Sequence, residues 1–378
     1  MYEQHTPQTL KRSAVTAGAA AAVAAAVALG ACAPLEDTVY FADQDFTPPS
    51  MVSIEAVGPT TIVARFTEDT TAESAYVSAE LGEVDARADG REVTFETEQA
   101  GEVGRSYQLE AVVADAAGNT MSFVETIYGY NSDVPAVLIN EVTTQGSAGH
   151  PDVVELRLLS AGNLGGLTLY AGAPGEHDGR LVFPAVELPK EAYVVVHFKP
   201  EGLPEEVDEL EDPAASGGLD ASDTAWDFWV PDGSGISGNN GAVSLYEQPG
   251  GRLIDAVVYS NRTSASDERY RGFGTKRALA MVDRVAADGG WLPSGGGSGT
   301  GGGSGTGGGS AGSEAGSPAA AAPVLAPEDA VDPEDSTATR SISRGSDGAD
   351  TDTKADWHIT PTSGYTFGGP NTDEVYEP

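Results

Sequence analysis

The chain has 378 residues, enough for two ordinary domains plus linkers, and its 58 acidic and 20 basic side chains give a formal net charge of −38. Such a charge repels phosphate backbones and anionic head groups at long range, which disfavours nucleic acid as a partner. The single cysteine, Cys32, excludes an intrachain disulfide framework and any zinc site built on several thiolates.

Lys11 and Arg12 precede the alanine-rich run "SAVTAGAAAAVAAAVALGAC". A positive region followed by an apolar one reads as a secretory signal peptide over residues 1–31. The run is short for a bilayer span, which argues against a plain transmembrane anchor. It ends in Leu29-Gly30-Ala31-Cys32, which resembles the bacterial lipobox. The resemblance implies that the Cys32 thiol is acylated, that the chain is cut before it, and that the mature protein is held on acyl chains at the bacterial cell envelope. Ala33 rather than Asp after the cysteine implies the outer membrane. Residues 32–46 are polar and acidic, and read as a tether.

Short apolar runs separated by glycine and proline predict an all-β protein. In residues 47–131, Val52, Ile54 and Ala56 alternate with Ser53 and Glu55, and Ile62, Ala64 and Phe66 alternate with Val63 and Arg65. This is the period of half-buried strands. Further strands are expected at Arg91–Thr97, Tyr107–Asp115 and Thr120–Gly129, with turns at Ala88-Asp89-Gly90 and Ala117-Gly118-Asn119. The segments "PPSMVSIEAVGPTTIVARFTE" and "YQLEAVVADAAGNTMSF" resemble the opening strands and closing hairpin of bacterial Ig-like modules, which implies a β-sandwich with a spacer or adhesive role.

The next region carries "AVLINEV", "DVVELRLLSAGNLGGLTLY", "RLVFPAVELPKEAYVVVHF" and "NNGAVSLYEQPGGRLIDAVVYSN". A glycine-serine stretch then leads to a tail containing "TATRSISR", "ADWHITPTSG" and "GPN". A tail with Trp357, Ile359, Tyr365 and Phe367 is too short to bury its own core, so it is expected to pack on an earlier segment. In this order the pieces resemble the lamin-tail domain. The resemblance implies a second Ig-like sandwich in tandem with the first, made of residues 136–293 and 327–374. The disordered Gly/Ser/Ala/Pro linker 294–326 is then an insertion within it. A helix is expected in "KRALAMVDRVAADGGW", where Leu279, Val282 and Val285 have helical spacing.

Chemistry is sparse in the sequence. His150, His177, His197 and His358 are scattered, and no H-E-x-x-H occurs. The one G-x-S-x-G match, Gly308 to Gly312, lies in the linker without a strand before it. Asp347, Asp350, Asp352 and Asp356 lack EF-hand spacing, and "EEVDELED" reads as an exposed like-charge loop. No catalytic residue, metal site or cofactor is therefore assigned. Two clusters are candidate partner-binding residues: Trp226, Phe228 and Trp229 in an acidic-aromatic excursion, and Arg269, Tyr270, Arg271, Lys276 and Arg277 in the one basic-aromatic patch.

The expected function is non-enzymatic: an envelope-anchored lipoprotein that binds, adheres or spaces through sandwich loops. Its partners would be the membrane, through the N-terminal lipid, and a protein or glycan. The alternative is a carrier of the metal-dependent hydrolase or nucleic-acid-binding activity associated with lamin-tail domains.

Overall fold

The computed structural model describes residues 45–294 and 322–378. Cys32, the signal peptide and linker residues 295–321 lie outside the described residues. Thr47–Pro378 forms one compact unit. It is nearly all-β, with several sheets and one α-helix among the described residues.

The first seven strands are β1 (Met51–Ala56), β2 (Thr61–Phe66), β3 (Thr70–Val77), β4 (Val84–Asp89), β5 (Glu92–Thr97), β6 (Ser106–Asp115) and β7 (Thr120–Tyr128). They form a sheet in the order β1-β2-β5-β4 and another in the order β3-β6-β7. Alternation puts Ile62, Phe66, Val93, Phe95, Leu109 and Phe123 into one shared core. The sequence reading has no strand at β3 or β4. Both are sheet-edge strands, and their polar composition (TTAESAYV and VDARAD) hides the period. Gly90, with φ of +59°, makes the turn from β4 into β5.

The second core is built by β8 (Val137–Val142), β9 (Val153–Leu158), β10 (Gly162–Asn163), β11 (Thr168–Ala173), β12 (Glu176–Val182), β13 (Glu187–Leu188), β14 (Tyr193–His197), β15 (Trp226–Trp229), β16 (Asn240–Tyr246) and β17 (Leu253–Ser260). Helix α1 (Lys276–Ala287) follows, then β18 (Ile342–Arg344) and β19 (Trp357–Ile359). A six-stranded sheet runs β15-β14-β9-β8-β18-β19, and a four-stranded sheet runs β12-β11-β16-β17. Ile139, Leu156 and Val196 from the first meet Leu169, Val243 and Val257 from the second in one hydrophobic core, consistent with a β-sandwich.

Thr275 caps α1 by accepting from the Ala278 amide at 3.0 Å. Met281, Val282 and Val285 turn into the core, and Leu279 packs at its edge. The tail joins the same core. β18 pairs with β8, and β19 pairs with β18. Leu325, Ala330 and Val331 are buried there too. Contact with the core thus resumes at Leu325, before the expected boundary at residue 327.

The two cores meet closely. A Cβ on Gly104, whose φ is +71°, would lie 2.8 Å from the Cα of Gly165. Asn131 reaches across from the connector after β7, donating to the carbonyls of Asn163 at 2.7 Å and Gly165 at 2.9 Å.

Candidate binding cleft and clasped sheet face

The outer face of the six-stranded sheet is where the tail does most. In the β8–β9 pair, Ile139 sits opposite Leu156 and Glu141 opposite Glu155, leaving Asn140 as the extra residue of a bulge. The bulge gathers Asn140, Glu141 and Glu155 beneath residues 361–371. Glu141 accepts from the Ser341 hydroxyl, from the Thr366 amide at 2.9 Å and from the Thr366 hydroxyl at 2.8 Å. Glu155 accepts from Asn140 Nδ2 at 2.6 Å and from the Gly368 amide.

Asn371 closes the cluster. Its Nδ2 donates to the carbonyls of Arg344 at 2.8 Å and Asn140 at 2.9 Å, and its Oδ1 accepts from Asn140 Nδ2 at 2.7 Å. Both carboxylates are wholly buried. Burial and the facing Glu141 push Glu155 well above the ordinary carboxylate range, and burial raises Glu141 against the hydrogen bonds it receives. Beside them Phe367 packs on Val153, Val195 and Ala225.

Arg344, at the end of β18, is equally buried. Its Nη2 pairs with Asp255 Oδ2 at 2.6 Å, its Nε donates to the Ile139 carbonyl at 2.9 Å, and its Nη1 donates to the Ala349 carbonyl at 3.0 Å and Asp350 Oδ1 at 3.1 Å. The guanidinium lies 4.5 Å from the Trp357 ring centre. Asp255 also accepts the Ile139 amide at 2.6 Å. Burial pushes its carboxyl up to about 7 despite the guanidinium.

The acidic excursion folds against the free edge of β15; of Glu205–Asp212, read as an exposed loop, all but Glu206 and Glu209 are exposed, and Glu209 is the buried exception. Glu209 is buried and accepts the Asp227 amide at 2.7 Å, and Asp208 accepts the Trp229 amide at 2.9 Å. These carboxylates cover an edge that would otherwise present unpaired donors. Glu206 folds the loop by accepting the amides of Glu201 at 2.7 Å, Gly202 at 2.7 Å and Leu203 at 2.9 Å. Gly218, at φ +102°, leaves room for the Trp229 ring, which a Cβ there would approach to 2.8 Å. Underneath, His197 Nε2 meets Asp227 Oδ1 at 2.8 Å while its ring stacks on Trp229 at 3.9 Å. Glu209→Ala strands the Asp227 amide and is expected to cost about 1–3 kcal/mol. Urea unfolding, with hydrogen exchange of that amide, checks this.

Of the candidate partner-binding residues, Phe228 and Trp229 are core residues and Trp226 is partly buried against the same core. They do not form an exposed platform, because β15 is a strand and its aromatics pack to both sides. Arg271 pairs with Asp283. Arg277 pairs with Asp178 at 2.9 Å and with the His177 carbonyl. Arg269 lies over the Tyr270 ring at 5.0 Å, and Lys276 is exposed at the start of α1. The basic patch is thus largely matched by the chain's own acids and aromatics. The aspartates of the tail shape turns: Asp356 accepts the amide and hydroxyl of Thr351, each at 2.8 Å, and Asp347 accepts the Ala349 amide at 3.0 Å.

The sequence reading has no site at the junction of the two cores, where the structure has a cleft of about 350 Å³. Its lining includes Tyr128, Tyr130, Asn131, Ser132, Glu247 and Gln248, together with Glu55, Val57 and Gly166. Its two carboxylates are matched by arginine: Glu55 with Arg65 at 2.8 Å, and Glu247 with Arg252. In the sequence these residues lie on four separate segments, and only two closely spaced tyrosines at the end of β7 mark the place.

Residues 135–359 match the model of the TP_1001 protein second domain. An uncharacterized protein of Treponema pallidum (strain Nichols) is 29% identical over 160 residues, 42% of this chain and 40% of that protein. The match therefore spans less than half of the relative's length. A crystal structure of dimeric latent PorU from Porphyromonas gingivalis aligns with 57% of this chain and 19% of its own, at 13% identity and a TM-score of 0.16, too low to carry an argument. Among the described residues no helix is long and apolar enough to cross a membrane.

Proposed function

We propose a binding role for this chain, which belongs to the family described as the TP_1001 protein second domain. In this reading it is a non-enzymatic lipoprotein, acylated at Cys32 and anchored at the bacterial envelope, on the outer membrane. Two sandwiches of Ig-like type, the second of lamin-tail type, present the contact surface. The contact surface is placed in the cleft between the cores rather than on residues 200–237 and 262–277, whose aromatics and cations are mostly engaged internally.

The observation that supports binding over hydrolysis is the use made of the buried acids. Glu141, Glu155 and Glu209 all accept hydrogen bonds that hold the chain's own segments. A hydrolytic carboxylate needs instead to face a substrate or a metal.

Two measurements test the proposal. Growth with a palmitate analogue should label the wild type and leave Cys32→Ala unlabelled; equal labelling would remove the anchor. A screen for metal-dependent nuclease, phosphatase and glycosidase activity should show no turnover that depends on Glu141, Glu155 or Glu209. Turnover lost on replacing them would make the chain an enzyme.

A further inference from the structure

We infer that the cleft between the two cores is a subsite for a neutral saccharide of one or two rings, an assignment that rests on the binding role proposed above. The first ground is charge. In a chain of net charge −38, the cleft's carboxylates both sit in ion pairs, Glu247 with Arg252 and Glu55 with Arg65, which also reaches Glu92. The remaining polar lining is uncharged: Tyr128, Tyr130, Asn131, Ser132 and Gln248. A charged ligand finds no unmatched partner there.

The second ground is the kind of surface. A tyrosine offers an apolar face and a polar rim, which matches a sugar ring with C–H groups on one side and hydroxyls around its edge. Beside such rings the Ser132 hydroxyl and the Gln248 side-chain oxygen can orient a ligand by hydrogen bonds, while the Asn131 amide is held by Asn163, Gly165 and Asp133. A volume of about 350 Å³ is at the lower end of small-molecule pockets and suits a short saccharide.

The third ground is backbone availability, which decides against a peptide. An extended peptide bound at the end of β1 needs free ladder groups. Here Gln248 Nε2 donates to the Ala56 carbonyl at 3.4 Å, and the Val57 amide donates to the Thr61 carbonyl at 2.9 Å. The amides of Gly129 and Gly166 donate to Arg105 and Phe183, and the Gly165 carbonyl accepts from Asn131. These main-chain groups of the cleft are thus already engaged, which leaves an extended peptide few ladder partners at the end of β1.

The test titrates the full chain, in detergent, with N,N′-diacetylchitobiose, maltose and lactose by ligand-observed NMR and calorimetry. Sialyllactose and alanyl-alanine serve as charged-sugar and peptide probes. Probe concentrations reach about 10 mM, above a dissociation constant of ~1 mM for a single weak subsite. At least one neutral disaccharide is expected to bind saturably. Tyr130→Ala should weaken it at least tenfold, Tyr130→Phe should restore most of the affinity, and unchanged thermal melting should show that both variants fold.

Binding confined to sialyllactose or alanyl-alanine, and sensitive to Tyr130→Ala, would overturn the saccharide assignment while leaving the binding role standing. Neutral-sugar binding that survives Tyr130→Ala would overturn the site. No binding of any probe would overturn the saccharide assignment; the binding role itself falls only with the carboxylate-dependent turnover described above.

Discussion

Arg344→Met is expected to destabilise the second core by about 3–5 kcal/mol, the usual cost of removing one partner from a buried ion pair. The guanidinium is surrounded on every side. Removing it strands the Ile139 and Ala349 carbonyls, leaves Asp255 facing a cavity without its counter-ion, and takes the cation from above Trp357. Urea unfolding at pH 7, followed by Trp fluorescence, measures the loss. Limited proteolysis supplies the structural reading: the tail should become cleavable between Arg344 and Asn371 while residues 47–131 remain resistant. Adding Asp255→Asn should recover part of the loss, because the amide still accepts from Ile139 and carries no charge to bury. A double variant no more stable than Arg344→Met would show that the lost hydrogen bonds, rather than the stranded charge, dominate.

The protein should become more stable as pH falls from 8 to about 5.5, the reverse of what acid usually does to a folded chain. Glu141, Glu155 and Asp255 all have carboxyls raised by burial, Asp255 to about 7, and Asp352 is raised to about 6 by burial and by Asp350. A carboxyl raised in the folded state binds its proton more tightly there than in the unfolded chain. Its contribution to stability is complete below the ordinary carboxylate range and is lost as pH rises through the folded value.

Asp115, Glu191 and Asp373 are shifted the opposite way by their hydrogen bonds. They stay ionised in both states above about pH 5 and do not offset this window; His177 and His358, held below the ordinary histidine range by burial, oppose the gain as pH falls through that range and reduce it. Every tenfold difference in proton affinity between the two states is about 1.4 kcal/mol, so the melting temperature should climb by several degrees. Thermal scans by circular dichroism at the two pH values check this. Glu155→Gln should flatten the dependence, and an unchanged slope in that variant would place the proton elsewhere.

Much of this arrangement was legible in the sequence, and the rest was hidden for physical reasons. A strand with strict alternation, Glu92–Thr97, can be read directly, as can the continuous apolar run before Phe198. So can the need of Trp357 and Ile359 for a partner, because large apolar residues in a short tail have few other places to go. β3 and β4 were not legible, since an edge strand can be polar on both faces. β15, the third strand without a legible period, lies within an acidic stretch of which two carboxylates, Asp208 and Glu209, cover its amides. The Glu141–Glu155 pair depends on the bulge at Asn140, which shifts register by one residue and leaves no periodic trace. The cleft joins segments remote in sequence, and no local pattern announces such a meeting.

The position of β18 inside the six-stranded sheet, between β8 and β19, also fixes the order of events in the protein's biosynthesis. The first core needs nothing beyond Tyr128 and can form while the rest of the chain is still emerging. The second cannot be completed until its far end exists: Asn140 waits 231 residues for Asn371, and Glu141 waits 225 for Thr366. Contacts so distant along the chain slow folding, because loop closure precedes the interactions that reward it. Refolding should therefore show a fast phase from the first core and a slow one from the second. Until β18 is delivered, the newborn protein carries β8 as an open β-sheet edge, and a chaperone that shields it would have its longest engagement there.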